Sequence, residues 1–205
     1  GVKKTARSAY SRPIKSVIKA IKLRDGDRVV NAEITDGNKE IMLFSDSGKS
    51  IRFKESDARP MGRVSQGVTG MRIDSNQKII SLVVLEEGNI LVATENGYGK
   101  QTLQDEFSIQ KRGGKGVIAI QTSDRNGSLI GAKQVNTGDE VMFISASGNL
   151  IRTRTDDISV IGRNTQGVTV IRLKQGEELI SLASIDEVFI SDEVVDEGKQ
   201  DDKEV

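Results

Sequence analysis

Residues Gln110–Gly116, which read QKRGGKG, place three cations and three glycines in seven positions directly before the apolar run 117–120. Glycine lets the backbone turn tightly and approach a ligand closely, because it has no Cβ atom. Arginine and lysine side chains offer charge-assisted hydrogen-bond donors to an anion. Glycine-rich turns with solvated cations are also common, so the pattern gains weight only where the chain repeats it. The candidate residues of this loop are Lys111, Arg112, Lys115, Gly113, Gly114 and Gly116.

The chain does repeat this loop, with a period of about 50 residues. Residues 61–69 (MGRVSQGVT) recur as 161–169 (IGRNTQGVT), and Gly116 falls midway between the two loops. A second marker, a small or polar residue followed by glycine, keeps the same period. These repeats predict one domain over 1–191 that consists of four copies, at about 1–46, 47–95, 96–146 and 147–191. The first copy is degenerate, because residues 11–15 (SRPIK) keep cations at the loop position but contain no glycine.

Cations recur in register with these copies. The loop arginines are Arg63, Arg112 and Arg163, and two copies add Arg72 and Arg172 after the loop. The strand after each hairpin turn adds Lys49, Arg52, Lys54, Lys100, Arg152 and Arg154, and the first copy has Lys3 and Lys4 at the corresponding place. Around a common axis these side chains would form a positive rim that suits duplex DNA, since phosphate contacts supply affinity without sequence information. The alternative is that repeated arginines cap turns and pair with some of the 30 acidic residues.

Short β-branched segments within each copy predict strands. In the second copy we expect strands near 48–54, 67–73, 78–85 and 89–94. Hairpin signals at the SG and NG dipeptides separate some of these segments, and no stretch has the pattern of an amphipathic helix. Four strands in each of about four copies predict an all-β, propeller-like or solenoidal array. One column of register-equivalent residues is expected to pack in the core: Tyr10, Ala58, Phe107 and Ile158.

Several classes of chemistry are excluded by composition. The chain has no cysteine and no histidine, so zinc sites, catalytic triads and thiol chemistry are absent, and a reducing, cytoplasmic location is expected. Residues 48–50 (GKS) resemble the end of a phosphate loop, but Leu43 stands where that motif needs a glycine. No apolar run is long enough to span a membrane. Aromatic residues make up 3% of the chain, which argues against single-strand binding by base stacking. We therefore predict no catalytic residue, no metal and no cofactor.

The formal net charge of zero hides an asymmetry. Residues 192–205 contain seven acids and two lysines, a net charge of −5, so the other residues carry +5. A basic body with an acidic tail indicates a polyanionic partner and an internal competitor for it. The plainer alternative is a disordered, solvated tail that only aids solubility.

The motifs also resemble a known family. Residues 110–116 look like the box motif of the DNA gyrase A C-terminal domain, while 43–56, 96–100 and 161–168 resemble later repeats of that domain. The resemblance covers everything except the acidic tail. It implies a β-pinwheel, a propeller-like disc whose blades exchange strands with their neighbours.

The resemblance further implies a function for the basic rim of the disc. The rim would bind and bend duplex DNA and so support ATP-dependent negative supercoiling by the whole enzyme. DNA cleavage and ATP hydrolysis would belong to the remainder of gyrase A and to its partner gyrase B. The box lies in the third copy here, whereas the family has it in the first of more numerous blades, so the chain is expected to be a piece of a larger protein. The alternatives are the corresponding domain of topoisomerase IV and a protein-binding propeller with an acidic partner.

Overall fold

Strands dominate the computed structural model, which describes residues 1–11 and 18–185. The predicted all-β class is confirmed, and short 3₁₀ turns lie at Arg7–Tyr10, Glu55–Asp57, Gln104–Glu106 and Thr155–Asp157. The strands are β1 (Glu40–Ser45), β2 (Lys49–Lys54), β3 (Ile79–Leu85), β4 (Asn89–Thr94), β5 (Tyr98–Leu103), β6 (Val117–Ile118), β7 (Leu129–Val135), β8 (Glu140–Ser145), β9 (Leu150–Arg154), β10 (Val168–Thr169) and β11 (Leu179–Ser184). The predicted loop 11–15, the strand-like run 188–191 and the acidic tail lie largely or wholly outside the described residues.

These strands form three antiparallel sheets. The first sheet has the order β3-β1-β2-β6, the second β7-β4-β5-β10 and the third β11-β8-β9. Each sheet is built on a hairpin (β1–β2, β4–β5 or β8–β9) that turns at a glycine with positive φ, as the dipeptide signals predicted. The third strand then returns to the far side of the hairpin's first strand. Strands β3 and β4 are neighbours in sequence but lie in different sheets.

The outer strand of a sheet comes from the following repeat. Strand β6 leaves the connection between β5 and β7 and pairs with β2, with Ser50 opposite Val117. Strand β10 pairs in the same way with β5, with Gly99 opposite Val168. Strands β3 and β11 both contact β7, so these edge strands face a common axis. The edges that carry β6 and β10 therefore form the outer rim, which agrees with the strand exchange that the family resemblance implied.

The first copy departs from the predicted pattern of four-stranded blades. The described residues contain three sheets, and the start of the chain adds only isolated bridges, Val2 to Val68 and Lys4 to Pro60. The prediction of a strand at 67–73 is therefore wrong. The start of the chain, which lies beside this segment, pairs with it only through the isolated bridge between Val2 and Val68. Residues 29–35 match β3, β7 and β11 in register but form no strand, and Ile34 is 76% exposed.

Sheet-on-sheet packing explains the continuous apolar runs. On β1, Ile41 and Leu43 pack into one buried cluster, whereas Met42 and Phe44 pack into another that includes residues of β4. Both faces of a strand are therefore covered, and alternation of polar and apolar residues is lost. Of the predicted core column, Ala58, Phe107 and Ile158 are buried, and the prediction is wrong for Tyr10, which is exposed.

Candidate nucleic-acid interface

The three loops that the sequence singled out lie along the outer rim, each bonded to the repeat before it. In the box loop, 110–116, the carbonyl of Gly114 accepts a hydrogen bond from the backbone N–H of Arg72 at 2.8 Å. The equivalent carbonyls of Ser65 and Thr165 accept from Lys22 and Gln121, at 3.2 and 2.8 Å. Successive loops are thus joined by one recurring backbone contact. We call loops 62–66, 110–116 and 162–166, with the segments that they contact, the rim belt.

Gly116 is required where the box loop meets the first sheet. Its φ is +73°, and a Cβ atom there would lie 2.3 Å from the carbonyl oxygen of Ser50. The register-equivalent Gly67 and Gly167 share the positive φ and the close approach to a backbone oxygen. In this geometry the glycine allows the loop to lie close to the sheet edge, a packing role that the sequence alone did not distinguish from approach to a ligand.

Two of the three loop arginines make the same contact in successive blades. The Arg163 guanidinium donates to the carbonyl of Ile118 at 3.1 Å, and that of Arg112 donates to the register-equivalent carbonyl of Thr69. Arg112 also donates to Asp57 O at 3.2 Å. These bonds orient both side chains in the same way relative to the rim and leave other guanidinium donors for a ligand. The side chain of Arg63 is half-buried and makes no hydrogen bond or ion pair within the described residues.

Two lysines that were expected on the DNA-binding surface instead donate hydrogen bonds to oxygens of the loops and so stabilise the loop conformation. Lys100 is fully buried, and its Nζ donates to the carbonyls of Gly162 and Arg163 at 2.7 and 2.6 Å and to Thr165 Oγ1 at 3.1 Å. Burial lowers the pKa of Lys100 to about 8. Lys3 bonds in the same way to Arg63 O and to Ala20 O. Burial, followed by the charge of Arg63, lowers the pKa of Lys3.

Other predicted cations are engaged in ion pairs. Arg52 is 11% exposed, contacts Glu40 at 2.6 Å and donates to the carbonyls of Gln104 and Phe107, each at 3.0 Å. Its donors therefore point into the protein, and we leave Arg52 and Lys100 out of the interface. Carboxylates also neutralise three further predicted cations at the surface or near it: Lys4 with Glu55, Arg152 with Glu140 and Arg154 with Asp156.

The remaining predicted cations have no carboxylate partner in the part of the chain that the structure describes. Five of them gather at the outer edge of the first sheet: Lys49 and Lys54 on β2, Lys111 and Lys115 in the box loop, and Arg72 beside that loop; Arg172 lies further along. All except the half-buried Lys49 are exposed. Available positive charge is therefore concentrated where the box loop crosses β2, and the third sheet is nearly neutral. Within the described residues no group of His, Cys, Asp or Glu could hold a metal ion.

Sequence reasoning missed Arg125, an exposed cation in the turn 123–127. Its guanidinium lies over the ring of Tyr98, 5.1 Å from the ring centroid. The sequence did contain one signal: Tyr98 follows the hairpin glycine of its repeat at the position where the preceding repeat has the cation Lys49.

Comparison with known proteins identifies what this arrangement resembles. The family described as DNA gyrase C-terminal domain, β-propeller, matches residues 2–36, 39–86, 88–136 and 139–186. The DNA gyrase A protein of Pseudomonas aeruginosa is 51% identical over 187 residues, covering 91% of this chain and 20% of the relative. The same protein of Salmonella typhimurium is 45% identical over 196 residues, covering 95% of this chain and 22% of the relative. The chain thus spans about a fifth of the length of these relatives.

Solved structures agree with the sequence comparison. A structure of a DNA gyrase A C-terminal domain superposes with a TM-score of 0.76 at 29% identity, over 82% of this chain and 57% of that one. The C-terminal domain of a DNA topoisomerase IV gives a TM-score of 0.77 at 23% identity, over 86% and 58%, a likeness that shows the fold alone. Among the described residues no helix has the length and apolarity of a membrane span.

Proposed function

We propose a DNA-wrapping function from one premise: the chain belongs to the DNA gyrase C-terminal domain family. In this proposal the chain binds duplex DNA along the rim belt and bends it around the outer edges of the sheets. The observation that carries the proposal is the set of cations that make no side-chain hydrogen bond or ion pair within the described residues, five of which lie where the box loop crosses β2.

The number of available cations is sufficient for such binding. Besides the three loop arginines, six predicted cations make no side-chain hydrogen bond or ion pair within the described residues, and the loop arginines keep some donors free. Six to ten phosphate contacts make log affinity fall steeply with log salt, by about 10³–10⁵ between 50 and 200 mM. Bending 20–30 base pairs by 40–90° costs on the order of 1–6 kcal/mol, which several contacts can offset.

The rim belt also offers a geometry that suits a curved ligand. The loops repeat one backbone contact from blade to blade, and Arg112 and Arg163 share an orientation relative to the rim because they donate to register-equivalent carbonyls. Phosphate contacts of this type position the duplex and carry no sequence information. DNA bound across successive loops would follow the curvature of the rim.

The proposed role of the whole enzyme follows from the relatives. They are DNA gyrase A proteins, so the parent protein belongs to a type II DNA topoisomerase. There the wrapped duplex would be presented for ATP-dependent negative supercoiling, in the cytoplasm, together with the rest of gyrase A and with gyrase B. The named sequence relatives favour gyrase over topoisomerase IV, whose domain is similar here in fold.

A topological assay tests this proposal. Nicked circular plasmid is ligated in the presence of the chain, and we expect the linking number to shift as the ratio of protein to DNA rises. The variant Arg72→Gln/Lys111→Gln/Lys115→Gln removes three cations that have no ion pair in the part of the chain that the structure describes. It should abolish most of the shift and reduce the salt slope of binding by about 3, since each phosphate contact contributes roughly 0.9.

A matched control removes three cations that already have carboxylate partners: Lys39→Gln/Arg152→Gln/Arg154→Gln. Its shift in linking number and its salt slope should stay close to those of the wild type. Salt-sensitive binding without a topological shift would show that the chain binds DNA but does not wrap it. Absence of salt-sensitive DNA binding would favour the second candidate, a rim that binds an acidic protein.

A further inference from the structure

The cations at the outer edge of the first sheet, which we call the cationic row, are Lys49, Lys54, Arg72, Lys111 and Lys115. At one position this row does not continue into the second sheet. The first residue of the second hairpin strand is Lys49 in the first sheet and Tyr98 in the second. Both residues pair with the exchanged outer strand, Lys49 with Ile118 and Tyr98 with Thr169, so they occupy the same place on the rim. At this place the second sheet thus has a tyrosine where the first has a cation.

Arg125 brings a cation to that place from a different segment. Its guanidinium stacks on the Tyr98 ring at 5.1 Å from the centroid, and its Nε donates to the tyrosine hydroxyl at 3.3 Å. The hydrogen bond from Arg125, followed by one with Thr169, lowers the pKa of Tyr98. Stacking over an aromatic ring stabilises a guanidinium group and fixes its plane.

The turn that carries Arg125 is held firmly between two repeats. The fully buried side chain of Asn126 donates to the carbonyls of Gln121 and Gln166, at 2.7 and 3.0 Å. The side chain of Asn96 donates to the carbonyls of Asp124 and Arg125, at 3.2 and 3.1 Å. Gln166 belongs to the loop that carries Arg163, so the turn adjoins the rim belt directly.

Arg125 keeps most of its hydrogen-bonding capacity for a ligand. The side chain is exposed, and only Nε has a partner, so both terminal nitrogens are free within the described residues. No carboxylate pairs with it there. A guanidinium with a fixed plane and two free terminal nitrogens matches the oxygens of a phosphate group, which it can bind in a bidentate way.

We propose that Arg125, presented by the Tyr98 ring, is a phosphate contact of the rim and continues the cationic row from the first sheet to the second. This inference rests on the proposed DNA-binding function and assigns one residue pair within it. The ligand is the backbone of duplex DNA, since the pair offers charge and a stacked plane at the edge where the three loops of the rim belt lie.

Salt titration of duplex binding to the 205-residue chain tests the assignment. Arg125→Gln should weaken binding severalfold at 50 mM salt and lower the slope of log affinity against log salt by about 0.9, the value of one phosphate contact. Arg154→Gln, which removes an exposed arginine that already pairs with Asp156, is the control and should leave the slope unchanged. Circular dichroism and the unfolding midpoint confirm that each variant is folded.

A second variant tests the register argument. Adding Tyr98→Lys to Arg125→Gln puts a lysine where the first sheet has Lys49, and the double variant should recover the wild-type slope. If the wild type binds DNA in a salt-dependent way and Arg125→Gln has the same slope, this inference is overturned and the proposed function is not. The same conclusion follows if the double variant is folded but its slope does not return to the wild-type value. A wild-type chain without salt-dependent binding would overturn the proposed function as well.

Discussion

Arg52 and Lys54 lie two positions apart on β2, yet their environments differ. Arg52 is 11% exposed, pairs with Glu40 and donates to two backbone carbonyls of the neighbouring repeat. Lys54 is exposed and has no partner in the described part of the chain. Both were expected to contact DNA. The structure therefore separates a cation that stabilises the fold from one that is available to a ligand.

This difference predicts opposite phenotypes for two similar substitutions. Arg52→Gln leaves Glu40 and the carbonyls of Gln104 and Phe107 without their donor, so we expect the free energy of unfolding to fall by about 2–3 kcal/mol. Lys54→Gln should change it by less than about 0.5 kcal/mol. Urea unfolding measures both effects. In salt titrations of DNA binding, Lys54→Gln should lower the slope and Arg52→Gln should leave it unchanged; the reverse pattern would place Arg52 in the interface.

Lys100 predicts a pH dependence of stability. Its pKa in the folded chain is about 8, below the 10.5 of an ordinary lysine, because burial disfavours the charged form. Between these values the unfolded chain binds the proton that the folded chain has released, so this group makes stability rise with pH. The wild-type free energy of unfolding should therefore increase from pH 8 to 10 relative to that of Lys100→Met. A pH-independent difference in urea unfolding would contradict the shift.

At the scale of elements, the strand exchange makes the loops part of the sheets. The box loop leads into β6, which pairs with β2 of the preceding sheet, and the same loop bonds to Arg72 and Gly70. A loop of this kind has little freedom to adjust its backbone. The conformation of each glycine in it therefore has a distinct energetic consequence.

Alanine substitutions at the three box glycines should give a graded series. Gly116→Ala combines a φ of +73° with a Cβ only 2.3 Å from Ser50 O and should cost more than about 3 kcal/mol. Gly113→Ala has a φ of +84° but its nearest neighbour is 3.7 Å away, so about 1–2 kcal/mol is expected. Gly114 has no positive φ, and its Cβ would make an ordinary contact with Ile51 at 3.4 Å. Chemical unfolding should therefore rank Gly114→Ala as the mildest; equal losses for all three would show that the loop adjusts freely.

At the scale of the whole molecule, charge is unevenly distributed along a neutral chain. Residues 192–205 carry −5, and the remaining residues carry +5. The tail lies outside the described residues. If the rim binds DNA as proposed, a tethered anion competes with the DNA at low salt, and the competition weakens as the Debye length falls to about 8 Å near 0.15 M.

Deletion of 192–205 should therefore tighten DNA binding, with a larger effect at 50 mM than at 200 mM salt. The control keeps the length of the tail and replaces its seven acids by Asn or Gln, and it should behave like the deletion. Equal dissociation constants for the wild type and both variants would assign the tail a role in solubility only.

The sequence by itself determined the repeat period, the all-β class, the hairpins at 45–48, 95–97 and 145–148, and the family. Local rules suffice for these features: glycine at positive φ, β-branched runs and a recurring loop are properties of neighbouring residues. The resemblance of 110–116 to the gyrase box is likewise a property of the sequence alone.

Only the tertiary structure decided which cations are available to a ligand. The oxygens around Lys100 belong to residues 162–165, and the carbonyls that hold Arg52 lie at 104 and 107, in segments that strand exchange brings together. Arg125 lies at the outer rim because it contacts Tyr98, which is 27 positions earlier in the sequence. A long cationic side chain binds whatever oxygens the fold places beside it, and neither residue type nor period encodes those neighbours.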